Sequence, residues 1–113
     1  MARILCLEPE IDIGKLVQFA LKDHEVDLAA NDEAAFKALN NGKKYELFMV
    51  EPVAGKTTIN LIKLARAKDM SIVYLTNLSP SELGNYSVAH VYIPKPFDPL
   101  YLKDQVDNLT QKK

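Results

Sequence analysis

Continuous apolar runs and helically spaced apolar positions take turns along the chain. Arg3 to Leu7 reads RILCL, an unbroken run expected of a strand covered on both faces. Ile13, Leu16, Val17, Ala20 and Leu21 then recur at i, i+3, i+4, i+7 and i+8, which predicts one apolar stripe along a helix. Glu25 to Ala30 alternates polar and apolar residues, as a half-exposed strand near a sheet edge does. Asn31 is placed to cap a second helix carrying Ala35, Phe36 and Leu39, and NNGKK (Asn40 to Lys44) ends it.

The same alternation continues. Leu47 to Val50 predicts a buried strand, followed by a helix with Ile59, Ile62, Leu64 and Ala65. Ser71 to Leu75 predicts a strand. Asn77 to Tyr86 is polar, contains Pro80 and Gly84, and has room for at most a short helix. His90 to Ile93 predicts the last strand, and PKPFDP turns the chain. Asp98 and Pro99 open a final helix with Leu102, Val106 and Leu109 inward. Five strands alternating with about five helices imply an α/β fold: a parallel sheet with right-handed crossovers and helices on both faces. Ligands and chemistry in such sheets gather at the carboxyl ends of the strands.

Composition narrows the class. The 113 residues are 48% hydrophobic and 26% charged, which fits one domain with one core and excludes a disordered tail. No apolar run approaches the roughly 20 residues that span a bilayer. Net charge is −1 with scattered Lys and Arg, so no basic stripe points to nucleic acid or to a membrane surface. Cys6 is the single cysteine, which fits a reducing cytoplasm.

The candidate chemistry sits where strands end. RILCLEPE and ELFMVEPV both leave an apolar run through Glu-Pro, at Glu8-Pro9 and Glu51-Pro52. Thr76 ends SIVYLT, and Lys95 ends HVYIPK. Two carboxylates, a hydroxyl and an ammonium are thus expected on one rim of one sheet.

With these positions the chain resembles the receiver domain of bacterial response regulators (CheY-like). The resemblance implies a flavodoxin-like three-layer fold with strand order 2-1-3-4-5. In that family the first strand ends in an acidic pair that holds magnesium, and the third in a phosphoacceptor aspartate. The fourth strand ends in Thr or Ser, and the fifth in Lys-Pro, often followed by Phe. Here Glu8 and Pro9 stand at the acidic pair, Glu51 at the phosphoacceptor, and Thr76 at the switch hydroxyl. Lys95 stands at the phosphate-binding lysine, with Pro96 and Phe97 after it. Tyr92 takes the place of the switch aromatic. The resemblance implies a cis bond at Lys95-Pro96, since X-Pro is the one common place for it. Pro94 is odd in a strand interior but fits an edge strand, as the fifth would be.

Two departures bear on function. Pro9 has no side-chain oxygen for a metal that demands near-octahedral oxygen geometry. Glu51 is one methylene longer than aspartate, shifting its carboxylate by on the order of 1 Å, a displacement that can cost about a hundredfold in rate. The expectation is a pseudo-receiver, not an enzyme: fold kept, phosphoryl transfer inefficient, magnesium binding weak or absent. The partners implied are a histidine kinase or an output or effector domain, with a homodimer left open. The segment from Thr76 to Lys95 is short for a full fourth helix, which weakens partner assignment by analogy. Glu51 either reaches towards Lys95 and Thr76, an imperfect substitute for a phosphoryl group, or points to solvent. The chain fits either a whole single-domain regulator or a receiver cut from a longer protein.

Other motifs carry less weight. AGKTT (Ala54 to Thr58) resembles the end of a phosphate-binding loop, but the glycine required five residues before Gly55 is Val50. Cys6 as a phosphocysteine is opposed by the acidic EPE turn beside it, and core packing suits it better. His24 and His90 read as surface or turn residues. Two alternatives remain: a receiver with residual phosphoacceptor activity on Glu51, and a small-molecule-binding flavodoxin-like domain.

Overall fold

The computed structural model describes residues 1–52, 55–83 and 89–111. Its elements run β1 (Arg3–Leu7), α1 (Ile11–Ala20), β2 (Glu25–Ala29), α2 (Asp32–Leu39), β3 (Leu47–Val50), α3 (Thr58–Ala67), β4 (Ser71–Thr76), α4 (Pro80–Leu83), β5 (Val91–Pro94) and α5 (Pro99–Gln111). The five strands form one parallel sheet in the order β2-β1-β3-β4-β5. Part of the polar segment expected to hold at most a short helix, including Gly84 and Tyr86, lies outside the described residues. Its described part contains the four-residue α4.

Strand periodicity explains the two cores. Side chains alternate across a strand, so neighbouring apolar residues of one run serve opposite faces. Leu5, Leu7, Phe48, Val50, Ile72 and Tyr74 pack with Ala35 and Leu39 of α2 and with Leu61, Ile62 and Ala65 of α3. Ile4, Cys6, Leu47, Met49, Val73, Leu75 and Ile93 pack with Val17 of α1, Leu21 just beyond it, and Leu102 and Val106 of α5. Burying a large aliphatic or aromatic side chain stabilises by roughly 1.5–3 kcal/mol. The doubly covered β1, β3 and β4 therefore anchor the fold.

The ends of the helices follow local chemistry. Asn31 Oδ1 accepts the Ala34 N–H at 2.8 Å and starts α2. Gly42, with φ +90°, turns the chain after α2 in a region that favours glycine. Asp98 Oδ1 accepts the Leu100 N–H at 2.9 Å ahead of α5.

Two expectations need correction. Leu16 is 54% exposed, because Gly14 and Val17 face the sheet instead. Gly14 lies so close to Leu28 that a Cβ there would meet its side chain at 3.2 Å. Phe36 is 55% exposed, since Ala35 and Leu39 form the buried edge of α2. His24 lies in the turn between α1 and β2, as expected, but its side chain is only 7% exposed and both ring nitrogens have partners.

Candidate functional site

Backbone bonds just past the strands set the site. Glu8 N–H donates to Ala29 O at 3.0 Å, Glu51 N–H to Leu7 O at 3.0 Å, and Lys95 N–H to Thr76 O at 3.2 Å. Each extends a ladder by one residue and holds the next side chain at the carboxyl rim. The chain runs from β1 to β2 on one side and to β3 on the other, so Glu8 and Glu51 flank the point where strand order reverses. Lys95 leaves β5, the far edge strand, and reaches back across the top of β4.

The lysine joins both acids. Its Nζ lies 2.6 Å from Glu8 Oε1 and donates a hydrogen bond to Glu51 Oε1 at 2.8 Å. Glu8 is the deepest of the three, with a side chain 1% exposed against 13% for Lys95 and 13% for Glu51. Glu8 Oε2 accepts the Glu10 N–H at 3.0 Å, at the entrance to α1. Glu51 Oε2 is buried and has no hydrogen-bond partner among the described residues. Burial pulls the Lys95 ammonium towards its neutral form. The hydrogen bonds and charges of Glu51 and Glu8 outweigh that and hold Lys95 above the ordinary lysine range. One ammonium between two carboxylates leaves the cluster with a formal charge of −1.

The other expected positions lie around this ion cluster. Pro9 is exposed and carries no oxygen ligand. Thr76 is buried, and its Oγ1 accepts the Leu78 N–H at 3.1 Å. Tyr92 is half-buried and stands edge-on to Tyr74, with ring centroids 5.4 Å apart and planes at 86°. The Lys95–Pro96 peptide is cis. A cleft of about 350 Å³, lined by Thr76, Leu78, Glu82, Tyr92 and Lys95 among others, opens beside the cluster. Cys6, on β1 below Glu8, is wholly buried. Burial pushes its thiol up to about 12, with the charge of Glu8 adding to the rise and Lys95 opposing it.

The donor set is a poor match to a magnesium ion. Of the four carboxylate oxygens of Glu8 and Glu51, Glu8 Oε1 and Glu51 Oε1 face the Lys95 ammonium, Glu8 Oε2 accepts the Glu10 amide, and Glu51 Oε2 has no hydrogen-bond partner among the described residues. Among the described residues no group of three or more His, Cys, Asp or Glu side chains is placed to hold a metal ion. An ammonium already seated between the two carboxylates competes with a divalent cation for the same oxygens.

Sequence reading missed a second polar cluster, on the loop into α3. Asp32 Oδ2 accepts the Thr57 N–H at 3.1 Å and the Thr57 hydroxyl at 2.7 Å, and Asp32 Oδ1 accepts the Thr58 hydroxyl at 2.6 Å. Gly55 N–H donates to Thr58 Oγ1 at 2.8 Å. Gly55, Thr57 and Thr58 of this motif are therefore a clamp onto α2; Ala54, its first residue, lies outside the described residues. The polar run Gly55 to Thr58 was the available signal, but its partner is 25 residues away from Thr57.

No family model matches the chain, and no curated protein sequence does. Solved structures match it over nearly its full length. A response regulator from Thermotoga maritima is 26% identical over 99% of each chain, with a TM-score of 0.86. A two-component response regulator from Clostridium difficile is 25% identical, covers 99% of this chain and 98% of its own, and has a TM-score of 0.85. The chemotaxis response regulator CheY4 of Vibrio cholerae is 27% identical over 96% of this chain and 98% of its own, with a TM-score of 0.77. The strand order is that of the CheY-like flavodoxin fold. Among the described residues no helix is long and apolar enough to cross a membrane.

Proposed function

We propose that this chain, whose structural neighbours are response-regulator receiver domains, is an atypical receiver in two-component signalling that is not efficiently phosphorylated and works through protein–protein contacts. The observation that carries this reading is the Glu8–Lys95–Glu51 cluster. Acyl-phosphate formation needs a free carboxylate oxygen on Glu51 and a cation to neutralise the incoming phosphoryl oxygens. Here Lys95 already occupies one oxygen of Glu51, the other is buried, and Pro9 withholds a ligand. Magnesium binding is accordingly weak or absent.

The cluster also supports one fixed conformation. A carboxylate facing Lys95 fills part of the role of a phosphoryl group, with less charge and fewer acceptor oxygens. The domain then offers its surface to a cytoplasmic histidine kinase or an output domain without waiting for a phosphoryl signal. A direct test follows the backbone amides of Thr76, Tyr92 and Lys95 by NMR during titration with magnesium and a small phosphodonor. These signals are expected to stay in place; saturable shifts at all three would overturn the proposal.

A further inference from the structure

His24 sits far from the Glu8–Lys95–Glu51 cluster in sequence and takes no part in the function proposed above. It lies in the turn between α1 and β2, where its own N–H donates to Leu21 O at 2.8 Å. Its Nδ1 accepts the Ala2 backbone N–H at 3.0 Å, one residue before β1. Its Nε2 is 2.7 Å from Asp107 Oδ1, on the last turns of α5. One side chain, 7% exposed, thereby joins the first strand, the α1–β2 turn and the last helix.

These partners dictate the protonation pattern. A backbone N–H can only donate, so Nδ1 must present a lone pair. The carboxylate of Asp107 can only accept, so Nε2 must carry the hydrogen. We infer that His24 is a proton-sensitive clasp: the neutral Nε2–H ring holds Ala2 and Asp107 together, and protonation releases Ala2 while keeping Asp107. In the imidazolium form Nδ1 also bears a hydrogen, and two donors would face each other across 3.0 Å. The Asp107 contact would become a full ion pair, so acid opens one side of the clasp only.

Asp107 touches the ring, and other charged groups stand on the elements that surround it. From α5, Asp107 faces the ring, and Lys103 holds its other oxygen at 2.6 Å. Asp104, also on α5, acts on Lys103. From the turn, Asp23 lies 3.8 Å from Lys103. From the strands, Arg3 and Glu25 pair at 3.3 Å next to Ala2 and His24. Asp107 is therefore the anion in contact with the ring, and Lys103 partly offsets it.

The test is an NMR titration of the whole chain that reads the His24 ring nitrogens and the Ala2 amide together. The Nε2–H tautomer is expected in the neutral ring, with a shift of the Ala2 amide that tracks protonation of His24. His24→Asn, whose side-chain oxygen can still accept from Ala2, is expected to abolish that pH-dependent shift. If this variant fails to fold, Asp107→Asn serves instead and is expected to displace the pH at which the Ala2 amide shifts. The inference is overturned by an Nδ1–H tautomer, by a His24 that stays neutral until the protein unfolds, or by an Ala2 amide that ignores the titration. It is equally overturned by an Ala2 shift that persists in the His24→Asn variant or stays unmoved by Asp107→Asn.

Discussion

The Lys95 ammonium lies 2.6 Å from Glu8, closer than its 2.8 Å bond to Glu51, and Glu8 is almost wholly removed from water. The acid of the first strand, rather than that of the third, is thus the deeper counter-charge. Charge balance then predicts unequal costs for three variants. Lys95→Met leaves two buried carboxylates facing each other with no cation and should cost about 3–5 kcal/mol. Glu51→Gln leaves a one-to-one pair and should cost about 1 kcal/mol or less. Glu8→Gln should fall between, because Glu8 also accepts the Glu10 amide. Urea denaturation of the three proteins checks the order.

Gly55 and Asp32 form a second testable pair. A Cβ on Gly55 would lie 2.5 Å from Asp32 Oδ2, a distance that forces something to move. Gly55→Ala should therefore destabilise by roughly 1–3 kcal/mol, the usual range for overpacking. Asp32→Ala removes both the obstacle and the acceptor for Thr57 and Thr58, and should itself be destabilising. The double variant should be less unstable than the sum of the single ones, by at least about 0.5 kcal/mol in a double-mutant cycle.

Alkaline pH should unfold the domain in a defined window. Burial raises the Cys6 thiol from 9.0 to about 12, and burial together with the Asp27 hydrogen bond raises Tyr45 from 10.0 to about 12. Lys95 is also held above its ordinary range. All three keep their protons more tightly in the folded chain, so the unfolded chain releases them first. Stability is fully present below about pH 9 and falls as pH rises towards 12. The thiol alone contributes a slope of roughly 1.4 kcal/mol per pH unit while only its unfolded form ionises. Cys6→Ala should delay the onset to near pH 10, where unfolded Tyr45 begins to ionise, read as thermal midpoints across the series.

Much of this architecture was legible in the sequence, for physical reasons. Strands covered on both faces must be apolar throughout, and Leu47–Val50 is fully buried as its composition requires. Parallel strands put all carboxyl ends on one rim, so Glu8, Glu51, Thr76 and Lys95 could be assigned to it without coordinates. Helix rotation was harder to read. Hydrophobic periodicity gives no weight to Gly14, yet its missing side chain lets α1 settle onto Leu28 and turns Leu16 outward.

Side-chain pairing was the least legible. Which acid Lys95 prefers depends on rotamers of residues far apart in the chain, Glu51 itself lying 44 positions before Lys95. His24 finds Asp107 across 83 positions, and no local pattern announces such a contact. The Asp32 clamp was hidden for the same reason, since Asp32 reads as an ordinary first-turn helix acid.

The central claim is that this ion cluster has displaced phosphoryl chemistry. Intact-mass measurement after incubation with a small phosphodonor and magnesium tests it most directly. A variant combining Pro9→Asp with Glu51→Asp, which restores a ligand and shortens the acceptor, serves as the reference and should gain one phosphoryl group. The unaltered chain should keep its mass under the same conditions. Stoichiometric addition of a phosphoryl group to Glu51 in that chain would contradict the account.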